Sequence, residues 1–383
     1  MNYVAFKMLT GDRAKYLGIV FGVAFASLLI TQQAGIFVGL MSRTYGAIED
    51  AGQPDIWVME EKVQFIDDVK PMSDTELYRV RGVAGVEWAV PLYRGLLKAR
   101  LDDGNYQACF VSGLDDETLT GGPPEMLEGK LSDLRQADAI IVNDVGAAGM
   151  LAKRGPNGQK IPLKIGDVIE LNDHRAKVVG ICRVSRTFNS QPSIFTTYTR
   201  ATTFAPFERK LLSFVLVKAK PGITPADLCQ RIREDTGLGA YTQKQFIDKT
   251  YNYFFENTGI PINFGISVTL GFFVGVAIAG QTFYQFTLEN LKHFGALKAM
   301  GAGNVQLLKM ILLQAGLVGG VGYGIGVGVA SVFGYLTRNS ELSFLLPWWL
   351  MIGTAGAVLL ICLAASALSL LKVLRLEPAI VFK

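Results

Sequence analysis

The sequence predicts an α-helical membrane protein with four transmembrane helices plus a large α+β extracytoplasmic domain. Three observations predict it. Charged residues make up 18% of the chain and apolar residues 50%, with a mean hydropathy of +0.30. Soluble domains carry roughly 25% charge, and a chain this apolar is not disordered. Four stretches are long and apolar enough to cross a bilayer, which takes about 20 residues. Between the first and second of them, residues 43–262 carry 27 basic and 29 acidic side chains and alternate short apolar runs with turns.

The elements follow in order. Residues 1–16 form a cytoplasmic N-terminal tail. The first span, 17–40, contains no Lys, Arg, Asp or Glu; it is too long for a signal-peptide core and no A-x-A site ends it. Thr31, Gln32 and Gln33 lie inside it. They serve either a helix contact or substrate-facing surface, or the outer rim of a helix that runs beyond the membrane. Residues 41–262 form the outer domain. Spans two to four are 264–288, 305–336 and 342–371, with a connection at 289–304 and a C-terminal tail at 372–383.

Basic residues set the orientation. Lys7, Arg13, Lys15, Lys292, Lys298, Lys309, Lys372, Arg375 and Lys383 flank one side, against only Asp12, Glu289 and Glu377. Both termini and the 289–304 connection are therefore expected in the cytoplasm of a bacterial inner membrane, with the large domain outside.

Within that domain, Asp55–Glu60 reads as a strand. Ser73–Val83 reads as a helix with a capping box at Ser73 and Glu76, ended by Gly82. Residues 86–101 and 106–114 are two further strands. Strand-like runs follow at 137–144, 165–171 and 177–184, then at Leu211–Ala219. Thr224–Asp235 begins as a helix should, with Thr224, Pro225 and Asp227. The order implies a split domain: an outer piece of 43–115 and 205–255, and an inserted β-rich piece of 116–204. Turn chemistry at Thr120–Lys130 marks one junction, and Lys153–Pro162 is a loop within the insert.

Enzyme chemistry finds no support. The only Gly-Lys dipeptide, Gly129–Lys130, is followed by Leu131, and Pro124 stands where a phosphate-binding loop needs its first glycine. No G-x-S-x-G, H-E-x-x-H or C-x-x-C occurs. The two histidines and four cysteines are scattered, so no metal centre is expected. Cys109, Cys182 and Cys229 are an odd set for disulfides and read as small buried apolar residues. Acidic runs such as Asp67–Asp68 read as solvated loops. The chain is expected to have no catalytic residue, to bind no cofactor and to take no nucleic-acid partner.

Two patterns carry more. Gly316, Gly320, Gly324 and Gly328 recur every four residues, a stripe that lets membrane helices approach closely; the partner is another span or a second copy. In the connection, Leu291, Phe294, Leu297 and Met300 form an apolar ridge flanked by Lys292, His293 and Lys298, with Gly301 and Gly303 ending the helix. A helix of this kind fits a partner's groove; the competing reading lays it flat on anionic lipid.

These residues resemble the coupling helix of the MacB/FtsX-like permeases of ABC transporters, the mechanotransmission (type VII) group. Lys292, Phe294, Gly295, Leu297, Lys298, Ala299, Met300, Gly301 and Ala302 fit the pattern, and His293 stands where it has glutamate. Leu374–Lys383 resembles the family's closing Leu-x-Pro-Ala signature. "GQPDIWVME", "LYRVRGVAGVEWAVPLYRG" and "LKAMG" are similar to the heterocyst-glycolipid exporter permease group. The resemblance implies a porter-like outer piece with a sabre-like insert. It also implies a homodimer or paired permease, and two copies of a separate ATPase that carries ATP and Mg. The connection 289–304 becomes an ATPase-coupling helix with Leu291, Lys292, His293, Phe294, Leu297, Lys298, Met300 and Gly301 as its contact residues. The expected function is export of an amphiphilic or hydrophobic cargo with a membrane-fusion adaptor and an outer-membrane channel. The alternatives are a non-transporting FtsX-like regulator of a periplasmic partner and a lipoprotein-releasing permease. The spans hold few charges, which suits force transmission or lipid handling better than an aqueous conduit.

Overall fold

The computed structural model describes residues 2–155, 158–206, 211–338, 340 and 342–374. It divides into two compact units, Met1–Leu40 with Gly259–Lys383, and Met41–Thr258. The chain begins with helices α1 (Asn2–Gly11), α2 (Arg13–Ser42) and α3 (Gly46–Asp50). Then come β1 (Ile56–Met59), α4 (Thr75–Arg81), β2 (Val86–Arg100), β3 (Tyr106–Leu114), β4 (Glu125–Glu128) and β5 (Ala139–Asn143). They are followed by α5 (Asp144–Ala148), β6 (Lys153–Arg154), β7 (Lys160–Ile161), β8 (Val168–Leu171), β9 (His174–Arg183), β10 (Ser193–Thr197) and α6 (Tyr198–Phe204). Next are β11 (Phe214–Ala219), α7 (Pro225–Thr236), β12 (Gly239–Thr242) and α8 (Gln243–Asn257). The chain closes with α9 (Ile260–Glu289), α10 (Leu291–Ala299), α11 (Asn304–Thr337) and α12 (Trp348–Leu374).

The helical unit contains α2, α9, α11 and α12, four helices long and apolar enough to cross a membrane. At 1.5 Å per residue, 30 residues of α2 extend about 45 Å, beyond a hydrocarbon core of about 30 Å. Thr31 is fully buried inside the bundle, and Gln32 and Gln33 are half-buried. Glycines set the closest approaches. A Cβ on Gly326 of α11 would stand 2.5 Å from the Ser27 Cβ of α2, and Gly322 meets Val23 and Ala24. Gly275 of α9 meets Ala26, and Gly319 meets Cys362 of α12.

Of the two partners left open for the glycine stripe, another described span of the same chain is not the one it meets. A Cβ on Gly316, Gly320, Gly324 or Gly328 would meet nothing within 4 Å among the described residues. The stripe is one continuous face, but α11 turns it away from its own bundle. Packing falls to Gly319, Gly322 and Gly326, which share the opposite face at i, i+3 and i+7.

The fourth span also starts later than the apolar run does. Residue 342 was the expected start, and α12 begins at Trp348. Pro347 disfavours helix in the residue before it, so the 342–347 segment is non-helical. Its Phe344 ring fills notches left by Gly35 and Gly334, and Leu345 N–H donates to the Gly35 carbonyl at 3.0 Å. Residues 375–383, which hold most of the closing signature, lie outside the described residues.

The second unit is built on a ten-stranded sheet in the order β12-β1-β11-β2-β3-β10-β5-β9-β4, with β8 joining β2 to β9. The first four strands are antiparallel, and their chain order with α4 and α7 is βαβ, then βαβ, a ferredoxin-like arrangement. Both faces are covered, so every residue of β1 is buried. Alternation sorts them. Ile56, Val58, Val215 and Val217 pack with Leu77, Val80, Leu228 and Ile232 of α4 and α7. Trp57, Met59, Phe214 and Leu216 face the other way, onto Phe246 of α8.

Between the second and third of these strands lies a closed barrel. β2 pairs with β3, β3 with β10, β10 with β5, β5 with β9, β9 with β8, and β8 returns to β2. Leu97, Cys109, Val111, Ile140, Val178 and Ile194 belong to its apolar filling. The insert is therefore not confined to 116–204. β2 pairs with β11 through Leu92 and with β3 from Tyr93 onward, and β3 is wholly a barrel strand. A single 15-residue strand serves both halves, and nothing in its sequence marks the handover.

Local signals hold with small shifts. Thr224 Oγ1 accepts from Asp227 N–H at 3.2 Å and caps α7. In α4 the cap position is Asp74 rather than Ser73, and neither side chain caps the helix.

Candidate functional site

α9 does not end by running out of apolar residues; Asn290 stops it. Asn290 Nδ2 donates to the Phe286 carbonyl at 2.8 Å, and its backbone settles near φ −90°, ψ 8°. α10 starts there. At its other end Gly301 adopts φ +94°, a left-handed conformation that glycine takes without a Cβ penalty. Ala302 N–H donates to Leu297 O at 3.0 Å, and Gly301 N–H to Lys298 O at 3.1 Å, closing the helix. Gln306 Oε1 then accepts from Gly303 N–H at 3.2 Å and starts α11.

The sequence ridge does not form one face. Three residues advance a 3.6-residue helix by about 300°, so the row slips about 60° at each step. Phe294 is 0% exposed, inside a cluster with Ala5, Leu307, Met310, Ile311 and Val373. Leu291 and Leu297 are half-buried against that cluster. Met300 is 75% exposed. Lys292 and His293 are exposed, Lys298 is half-buried and Gly301 is exposed. Phe294 is thus an anchor, and the outward surface is Lys292, His293, Met300 and the exposed Val305 that follows.

The N-terminal tail holds a helix, α1, that the sequence reading does not assign. Ala5 and Leu9 are buried, and Gln314 of α11 donates from its buried Nε2 to the Ala5 carbonyl at 2.9 Å. Asp12 begins α2: its Oδ1 accepts from Lys15 N–H at 3.3 Å. Lys15 bridges Asp12 at 2.6 Å and also pairs with Glu289 at the end of α9. The bond from the Lys15 ammonium holds the Asp12 carboxyl below its ordinary range. The signal for α1 was present in the four-residue spacing of Ala5 and Leu9. The exposed Tyr3 and Phe6 on its other side blurred the periodicity.

α1, α9 and α10 together border an open groove of about 560 Å³, lined by Tyr3, Lys7, Asp12, Lys15, Glu289 and His293 among others. The arrangement is a short helix with an exposed outer surface, its inner side chains rooted among α1, α11 and α12.

Comparison with known proteins identifies the group. The family model for the MacB-like periplasmic core domain matches residues 16–235, and that for the FtsX-like permease C-terminal region matches 265–378. The chain belongs to the MacB/FtsX-like family of ABC transporter permeases. An ABC transporter permease of Methanocaldococcus jannaschii is 23% identical over 372 residues, covering 91% of this permease and 89% of that protein. An ABC transporter permease of Mycobacterium tuberculosis is 23% identical over 370 residues, covering 95% and 93%. Among solved structures, the periplasmic region of MacB from Actinobacillus actinomycetemcomitans is 10% identical. That match covers 55% of this permease and 96% of that chain, with a TM-score of 0.37.

Proposed function

We propose that this permease is the membrane subunit of an ABC-type export system and that α10 receives its drive from a separate ATPase. The observation that carries the reading is the division of labour on α10. Phe294 is sealed into the helical unit, while Met300, Lys292 and His293 stand outward. A push on the outer residues reaches α1 and α11 through a packed aromatic anchor, because close-packed side chains transmit displacement.

The rest of the reading follows. Basic residues around α1 and α10 put that side in the cytoplasm, and the sheet unit then lies outside. Two ATPase copies supply ATP and Mg, and the drive is passed on mechanically. The face of Gly316, Gly320, Gly324 and Gly328, unused among the described residues, suits contact with a second permease copy. The cargo is amphiphilic or hydrophobic, handed to a membrane-fusion adaptor and an outer-membrane channel.

The test is ATPase stimulation by the reconstituted permease. Met300→Asp and Leu297→Asp should each weaken docking about tenfold or more, which corresponds to ~1.4 kcal/mol, and stimulation should fall accordingly. Wild-type stimulation in both variants would count against the proposal.

A further inference from the structure

A second feature lies in the sheet unit, independent of the ATPase reading. Trp57 on β1 packs its indole against Phe214 and Phe246, with ring centroids 5.5 and 5.6 Å away. The side chain is 1% exposed, and its Nε1–H finds no acceptor among the described residues. Buried donors in native proteins almost always have a partner. Trp57 lines a cavity of about 30 Å³. A water molecule needs roughly 10–15 Å³ of such space and two to four polar neighbours.

The neighbours are there. Asp50, Arg94, Ser112, Ser185 and Thr187 line the same cavity. Asp50 accepts from Ser185 N–H at 2.7 Å on one oxygen and from Ser185 Oγ at 2.9 Å on the other; each oxygen keeps a second lone pair. Arg94, 8% exposed, donates through Nε to Asp67 at 2.9 Å and through Nη1 to Ser112 Oγ at 3.4 Å. That leaves the Ser112 hydroxyl free to donate onward. The groups come from different parts of the unit: Asp50 from α3, Trp57 from the ferredoxin-like strands, and Ser112 from the barrel.

We propose that this cavity is a built hydration site. One or two ordered waters accept from Trp57 Nε1–H and donate to the Asp50 carboxylate or bond the Ser112 hydroxyl. The water extends the Asp50–Ser185 contact so that α3, the outer strands and the barrel meet in one polar cluster. Only a ligand of this size and chemistry, small, uncharged and able both to donate and to accept, satisfies the volume and the donor set together.

The experiment is a high-resolution structure of the full chain, with a Trp57→Phe companion. Phenylalanine keeps an aromatic ring against Phe214 and Phe246 and deletes only the donor edge. The expected result is solvent density about 2.8–3.2 Å from Trp57 Nε1 and within bonding reach of Asp50 or Ser112, weakened or displaced in the variant. Two results would overturn the proposal: a dry cavity in the wild-type protein, or a protein carbonyl or carboxylate accepting directly from Trp57. The wild-type density decides the matter even if the variant does not fold.

Discussion

Phe294 and Met300 lie on the same short segment and have opposite surroundings. Phe294→Ala should cost about 3–5 kcal/mol, the usual penalty for emptying a buried aromatic site, read as a lowered midpoint in detergent thermal unfolding. Met300→Asp should leave that midpoint unchanged and act only on the partner. The sequence made the residue types legible but not their roles, since three-residue spacing looks like a stripe yet winds around the helix. Cys109, Cys182 and Cys229 were readable as buried residues and are so, and Cys362 joins them as a buried free thiol. Burial pushes the Cys109 and Cys182 thiols up to about 12 and Cys229 up to about 11. At pH 8 the thiolate fraction of Cys109 is of order 10⁻⁴. Native protein should therefore resist iodoacetamide, and the thiols should react once it is denatured. Because the folded values are raised, this contribution to stability is whole below the ordinary value of 9.0. It is lost as pH rises through about 12. Rapid native alkylation of Cys109 or Cys182 at pH 8 would contradict the buried placement.

Glycine decides most at the scale of elements, and the sequence did not show which glycines matter. α11 carries glycines on both faces, and a four-residue repeat catches the eye more readily than the i, i+3, i+7 set that packs. Gly326→Leu should break the α2–α11 approach and lower thermal stability by at least the ~1–3 kcal/mol of an overpacked site. Gly324→Leu should leave the stability of a single permease within about 0.5 kcal/mol. Equal losses in size-exclusion thermal scans would mean that the faces are assigned wrongly. Gly301 was legible, since a glycine after the last apolar position of a helix signals a left-handed cap. Gly301→Ala should cost about 1–2 kcal/mol and loosen α10 to proteolysis. The late start of α12 was not legible from hydropathy, because residues 342–347 are as apolar as a span; only Pro347 betrayed the boundary.

For the whole molecule, apolar runs revealed the four long helices, and the order of strands and helices revealed a split domain. The barrel stayed hidden because closure depends on pairings between β8 and β2 and between β10 and β3, which local patterns do not encode. α1 stayed hidden because a short helix with apolar residues on both sides has weak periodicity. The family match then supports reading the helical unit as the part that meets an ATPase. That reading stands or falls on which side of the membrane α10 occupies. The direct measurement is labelling of a single cysteine placed at Met300 in a chain whose four native cysteines are replaced, using a membrane-impermeant maleimide. The account predicts no labelling in intact cells and full labelling after permeabilisation. Labelling of intact cells would put α10 outside and contradict it.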